Sequence, residues 1–226
     1  MAAVIIIAII IAMVALVVIL NGGVRKIPVQ YAKKVQGRKM VGGQTTNIPL
    51  KVNTSGVIPI IFASSLMQLP LIVSSLFNYQ GTGVWAEILK GMNSSNWCKP
   101  SQPVYTIGLL VYIVLVIFFA YFYTSITFNP LEIAENMKKQ GGFIPGIRPG
   151  RPTSEYLTKI LNYIIFIGAI GLTIVGILPF VFNGLFNASV SFGGTSLIII
   201  VSVILETVKQ VESQMLVRNY KGFLND

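Results

Sequence analysis

The run from Ala2 to Leu20 carries no polar side chain. No other feature limits the chain so strongly. In water such a run would have to be buried on every side. In a bilayer it has only to satisfy its own backbone, and an α-helix does this with internal hydrogen bonds. About 20 residues of helix cross the ~30 Å hydrocarbon core, so the run has the length of one span. The rest of the chain is of the same kind. Hydrophobic residues make up 54% and charged residues 11% of its 226 positions, against about 25% charged in a soluble domain. Mean hydropathy is +0.74. Composition therefore excludes a secreted globular domain, a disordered tail and a cytosolic enzyme, and leaves an all-α integral membrane protein. There is no His, which removes Ser-His-Asp triads, Cys-His dyads and His-based metal sites. Cys98 is the single cysteine, so neither an internal disulfide nor a cysteine metal cluster can form.

Five segments are apolar enough to be spans, at roughly 2–20, 56–77, 104–128, 158–182 and 194–216. The fifth is the weakest. Its apolar run, Leu197 to Leu205, is followed directly by Glu206, so it is either no span or one shielded from lipid. The net charge of +10 sits in alternate loops. Arg25, Lys26, Lys33, Lys34, Arg38, Lys39 and Lys51 lie in 21–55, and Lys138, Lys139, Arg148 and Arg151 in 129–157. Segment 78–103 has Lys90 and Lys99 against Glu87, and 183–193 has no charge. Basic loops stay in the cytoplasm. The first and third loops and the C-terminus are therefore expected inside, and the N-terminus outside. The apolar start has no basic residues before it and is too long for a signal peptide. It predicts a fragment, or half of a longer chain. A second half joined in series would be inverted, with a path at the interface.

The two basic loops carry most of the information. In 21–55, short alternation around Val29–Tyr31 and Met40–Val41 flanks the basic run Lys33 to Lys39. This predicts a projecting hairpin with a basic tip. Such cations also serve orientation alone, but a loop of more than 30 residues exceeds ordinary connections and points to function. Cations gathered at one tip suit a phosphate-rich or acidic partner. In 129–157, Asn129 is a good N-cap, Pro130 suits a first turn, and Glu132 follows three residues after the cap. A short helix to about Gln140 is predicted, with Lys138 and Lys139 in its last turn and Gly141 ending it. The stretch Gly142 to Gly150 is rich in glycine and proline. It reads as a stiff tip presenting Arg148, whose guanidinium can clamp phosphate or carboxylate, or can merely be solvated.

Four motifs are long and ordered: R-K-I-P-V-Q-Y-A-K-K-x-x-G-R-K from Arg25, G-G-Q-T-T-N-I-P-L-K-V-N-x-x-G-V-I-P-I-I-F-A-S-S from Gly42, F-N-P-x-E-x-A-E-N-M-K-K-x-G-G-F-I-P-G-I-R-P-G from Phe128, and F-G-G-T-S-L-I-I-I-V-S-V from Phe192. Together they resemble the SecY family, the channel subunits of the bacterial protein translocon. The resemblance covers essentially the whole chain but only the family's helices six to ten. It implies five transmembrane helices forming one half of an inverted-repeat channel in the bacterial plasma membrane, with two long cytoplasmic loops. It implies a passive pore without cofactor or catalysis, conducting unfolded preproteins and releasing helices into lipid. It places Ile61 and Ile199 in an apolar pore ring. Ser64, Ser65 and Gln68 fall near a lateral gate, one wall of which is formed by the second and third spans. Lys33, Lys34, Arg38, Lys39, Arg148 and Arg151 become the docking site for the ribosome, through its rRNA phosphates, or for the SecA motor. SecE and SecG, the missing N-terminal half and the lipid membrane complete the implied partners.

The residues themselves are compatible with this. Ile61, Ser65, Gln68 and Ile72 share one helical face, and so do Ile199, Ser202, Glu206, Lys209 and Ser213. A charged stripe leading away from an isoleucine suits a wet funnel below an apolar constriction, although bundle packing with an emerging charged end would look alike. A nucleotide loop of the form G-x-x-x-x-G-K-[ST] is missing, as a channel rather than a motor would have it. Two rivals stand beside the channel. Half of an inverted-repeat small-solute transporter needs midplane charges, and spans one to four have none. An intramembrane enzyme would need a Ser–Lys pair, and no Lys lies at mid-membrane near Ser64 or Ser65. The Asn-x-Ser matches at Asn53, Asn93 and Asn187 are weak, the first lying on the cytoplasmic side. Trp85 and Trp97 are expected to be interfacial anchors.

Overall fold

A computed structural model describes residues 2–31, 34–36, 39–41, 45–77, 83–98, 103–186 and 194–222. Helix α1 (Ala2–Gly22) runs without a loop into strand β1 (Val24–Tyr31). The Gly23 amide still donates to the Ile19 carbonyl at 3.0 Å. β1 pairs antiparallel with β4 (Thr45–Lys51), from Val24 opposite Lys51 to Gln30 opposite Thr45. Between them, β2 (Lys34–Gln36) and β3 (Lys39–Val41) pair from Lys34 opposite Val41 to Gln36 opposite Lys39. The predicted hairpin is therefore present. Pro28 is tolerated in β1 because the third strand, β5 (Gly142–Phe143), covers only Gln30 and Tyr31, leaving one side of β1 open at Pro28.

Helices α2 (Ile58–Leu76), α4 (Thr106–Thr127), α6 (Arg151–Phe186) and α7 (Gly194–Gly222) complete a bundle with α1. α2 packs on α4, α4 on α6, and α1 on both α6 and α7. Val17, Ile60, Ala63, Met67, Tyr112 and Val175 are buried at the centre. Three described stretches are long and apolar enough to cross a membrane: Ile58–Leu76, Thr106–Lys139, which contains α4, and Arg151–Leu178. Within α1, Ile10–Gly22 is a shorter apolar stretch.

Two elements depart from expectation. α6 starts at Arg151, not near 158, and has 36 residues, about 54 Å at 1.5 Å per residue. That exceeds a ~30 Å hydrocarbon core. Its first turns are polar and read as loop in sequence. They are helical because Pro152 fits a first turn and because Leu157 and Ile160 find an apolar partner. That partner is the hairpin. Ile27, Val29 and Leu50 alternate inward and meet Met137, Ile144, Leu157, Ile160 and Ile164 in a second core. Each such side chain contributes about 1.5–3 kcal/mol when fully buried. The other departure lies in 78–103, where helix α3 (Val84–Met92) and a 3-10 turn at Ser94–Asn96 form a cap on α2 and α4. Trp97 is only 2% exposed. Its ring packs on Tyr112 and Phe180, and its indole N–H donates to the Gly91 carbonyl at 2.7 Å. It is thus a core residue, not an interfacial anchor, because the cap folds back and supplies its polar partner. Trp85 does remain half exposed.

Candidate functional site

α5 (Pro130–Lys139) forms as its signals predict. The Asn129 side-chain oxygen accepts from the amides of Leu131 and Glu132, and Gly141 follows with φ +71. Next, Gly142 and Phe143 pair with Tyr31 and Gln30. This short β5 brings the two basic loops into one sheet. A Cβ at Gly142 would lie 2.9 Å from the Tyr31 ring, so any larger residue there would push that ring aside. The result is one basic platform on the end of the bundle, sharing the second core with α6. Arg25, Lys26, Lys51, Lys138, Lys139 and Arg148 are all exposed on it.

Arg148 makes no ion pair among the described residues, and Thr153 Oγ1 donates to its carbonyl at 2.8 Å. The tip is thereby tied to the start of α6 while the guanidinium stays free. Arg151 instead pairs with Glu155 at 3.2 Å, and its side chain is 88% exposed. A pair so exposed contributes about 0–1 kcal/mol, so Arg151 is still available. Lys33 and Arg38 lie outside the described residues. The backbones of Lys34 and Lys39 lie in β2 and β3.

On α2 the inward face holds Ile60, Ala63 and Met67, packed against Leu109, Tyr112 and Val116 of α4. The opposite side is open. Ile61 is 40% exposed, and Ser65, Gln68 and Ile72 are exposed with it. Ser64 does not belong to that open face. It is half-buried towards α4, near the Tyr112 hydroxyl, which is buried without a hydrogen bond of good geometry. Ser65 and Gln68 thus lie on the free face that helical spacing gives them, and Ser64 lies on the seam. On α7, Val201 is buried and Ile199 and Ser202 are half-buried, while Glu206, Lys209 and Ser213 are exposed. α6 packs on both α2 and α7, so Ile61 and Ile199 stand on two helices flanking a common neighbour. Among the described residues, no group of three or more Cys, Asp or Glu could hold a metal ion.

A network that sequence reasoning missed lies at the root of the platform. The Asn53 amide nitrogen donates to Asn21 Oδ1 at 2.7 Å, and the Asn21 amide nitrogen donates to Ser202 Oγ at 2.8 Å. Asn53 had carried only a weak sequon signal. Its role depends on contacts 32 and 181 residues apart, which no local pattern reports.

A family profile for SecY matches residues 1–208. The chain belongs to the SecY family. It is similar to the protein translocase subunit SecY of Streptomyces galbus, 51% identical over 94% of this chain and 47% of the relative. It is also similar to that of Mycobacterium leprae, 49% identical over 92% of this chain and 48% of the relative. The chain thus spans about half the length of the SecY relatives that it matches. Two solved structures share its fold at 21% identity. One, a study of how the plug domain of SecY stabilises the closed translocation channel, aligns with a TM-score of 0.59 over 91% of this chain and 48% of that one. The other, described as a protein-conducting channel, aligns with a TM-score of 0.57 over the same shares.

Proposed function

We propose that this chain forms one half of a protein-conducting channel that moves unfolded preproteins across the plasma membrane and releases apolar helices into it. The observation that carries this reading is the identity of about half of all residues with translocase SecY subunits along nearly the entire chain. In this reading α1, α2, α4, α6 and α7 are the five spans, with the platform in the cytoplasm and the N-terminus outside. Ile61 and Ile199 belong to an apolar ring. Such a ring offers water no hydrogen bonds and resists ions, yet yields to a chain of any sequence. The open face of α2 and the seam with α4 form one wall of a lateral gate, to be closed by the family's five preceding helices. SecE and SecG surround the channel. Energy comes from a ribosome or SecA docked on the platform.

Arg148→Glu tests the docking. It removes a free guanidinium from a stiff tip and reverses its sign. Charge-assisted contacts are worth about 1.5–3 kcal/mol, so ribosome binding should weaken roughly ten- to a hundredfold. The loss should shrink at high salt. Undiminished ribosome and SecA binding by this variant would overturn the docking role.

A further inference from the structure

We infer that Asn21, Asn53 and Ser202 form a clasp that couples the platform to the helix carrying Ile199. The inference rests on the channel reading above. Three observations carry it. First, the platform is attached rigidly: α1 passes into β1 within two residues, and the Val52 amide donates to the Gly23 carbonyl at 2.8 Å where β4 ends. Asn21 and Asn53 sit immediately inside this root, so a tilt of the sheet must carry both. Second, the bonds run outward from that root in one direction, Asn53 to Asn21 and Asn21 to Ser202. Ser202 lies three residues from Ile199, on the same face of α7. Third, the clasp is not fully satisfied. Asn53 is only 8% exposed, and its Oδ1 has no hydrogen-bond partner. A buried acceptor left unpaired is costly, so the clasp can rearrange when the platform moves and offer that acceptor a partner. α1 and α7 otherwise meet in a bundle core that includes Val17 and Val201, and apolar contacts are non-directional and fix no register. The clasp sets their register. Load on the platform thus reaches α7 through side-chain amides, not through the membrane.

The test uses the native channel complex in its own membranes, with Cys98→Ser and Ile199→Cys as the parent. Modification of Cys at 199 by an impermeant thiol reagent is followed with and without saturating ribosomes, and ribosome affinity is measured separately. Binding should change the labelling rate in the parent. Ser202→Ala should cut that response by about fivefold or more at unchanged ribosome affinity, and Ser202→Thr, which keeps the hydroxyl, should restore it. Normal binding with an undiminished response in Ser202→Ala overturns the clasp alone. So does a parent whose labelling ignores bound ribosomes, or a Ser202→Ala variant that loses binding too, which would mark a merely structural residue. A parent that binds no ribosomes overturns the docking reading, and the clasp with it.

Discussion

Gly108 shows how much one residue can decide. A Cβ at this position would lie 1.9 Å from the Gly91 carbonyl oxygen and 2.6 Å from the Trp97 indole nitrogen. The cap rests on α4 through this contact. Gly108→Ala should therefore displace the cap and lower stability by about 1–3 kcal/mol, the usual scale of overpacking, as read from the thermal midpoint of the purified protein. A second residue-scale device holds the same cap. Glu87 accepts from the Tyr105 hydroxyl at 2.8 Å and pairs with Lys90 at 3.0 Å. These bonds, Tyr105 first, hold the Glu87 carboxyl below its ordinary value of 4.5. Glu87 in turn raises Lys90 above 10.5 and Tyr105 above 10.0. A lowered acid stabilises above its unfolded value and stops doing so as pH falls through the folded one. The raised groups stabilise below their unfolded values and stop as pH rises through the folded ones. The tether is thus intact from mildly acidic to mildly alkaline pH. Amide protection of Val84–Met92, corrected for intrinsic exchange, should fall on acidification and lose that pH dependence in Glu87→Gln. Identical acid sensitivity in that variant would rule the tether out. Because these groups are exposed, the effect is confined to the cap.

At the scale of elements, the join between the platform and α6 is the informative one. Leu157 is 0% exposed, at the centre of the second core. Leu157→Ala should cost about 2–5 kcal/mol locally. The hairpin should loosen while the bundle stays folded, since the bundle core has its own residues. Faster proteolysis of β1 and β4 with an unchanged detergent-extracted bundle would bear this out; uniform loosening would not. This join was only half legible in sequence. The cap at Asn129, the short helix and the alternation of Ile27 and Val29 are local signals with periods of 3.6 and 2. The start of α6 at Arg151 had no such signal. Residues 151–159 are mostly polar, and they are helical because a sheet from elsewhere in the chain covers Leu157. β5 was missed for the same reason, since two residues make a strand only when a partner is present.

For the whole molecule, the question is what the open faces meet. Ile61, Ser65, Gln68 and Ile72 are exposed in this chain, which spans about half the length of its relatives. If they line a gate closed by the remaining half, hydroxyls and an amide there keep the seam easy to part. Ser65→Leu with Gln68→Leu should then stabilise the closed state and slow insertion of apolar helices. Ser64→Leu acts differently, since Ser64 faces Tyr112 on the seam with α4, and should strain the packing of α2 on α4. Equal insertion rates for the double variant and the parent would remove the gate role from this face.

The division between sequence and tertiary structure follows from range. Composition, the apolar run Ala2–Leu20, the charge alternation and the helix caps each depend on neighbours within a few residues, or on the medium around the chain, so the sequence alone was enough for a helical membrane protein with basic loops, while the three-stranded sheet joining those loops lies outside the all-α class expected. It also carried the SecY resemblance, because family motifs are linear. Only the tertiary structure could bury Trp97, join two loops through β5, and bring Asn21, Asn53 and Ser202 together. Each of those depends on which distant segment supplies the partner for an apolar surface or a polar atom. A buried group must find such a partner, and where it finds it is decided by packing.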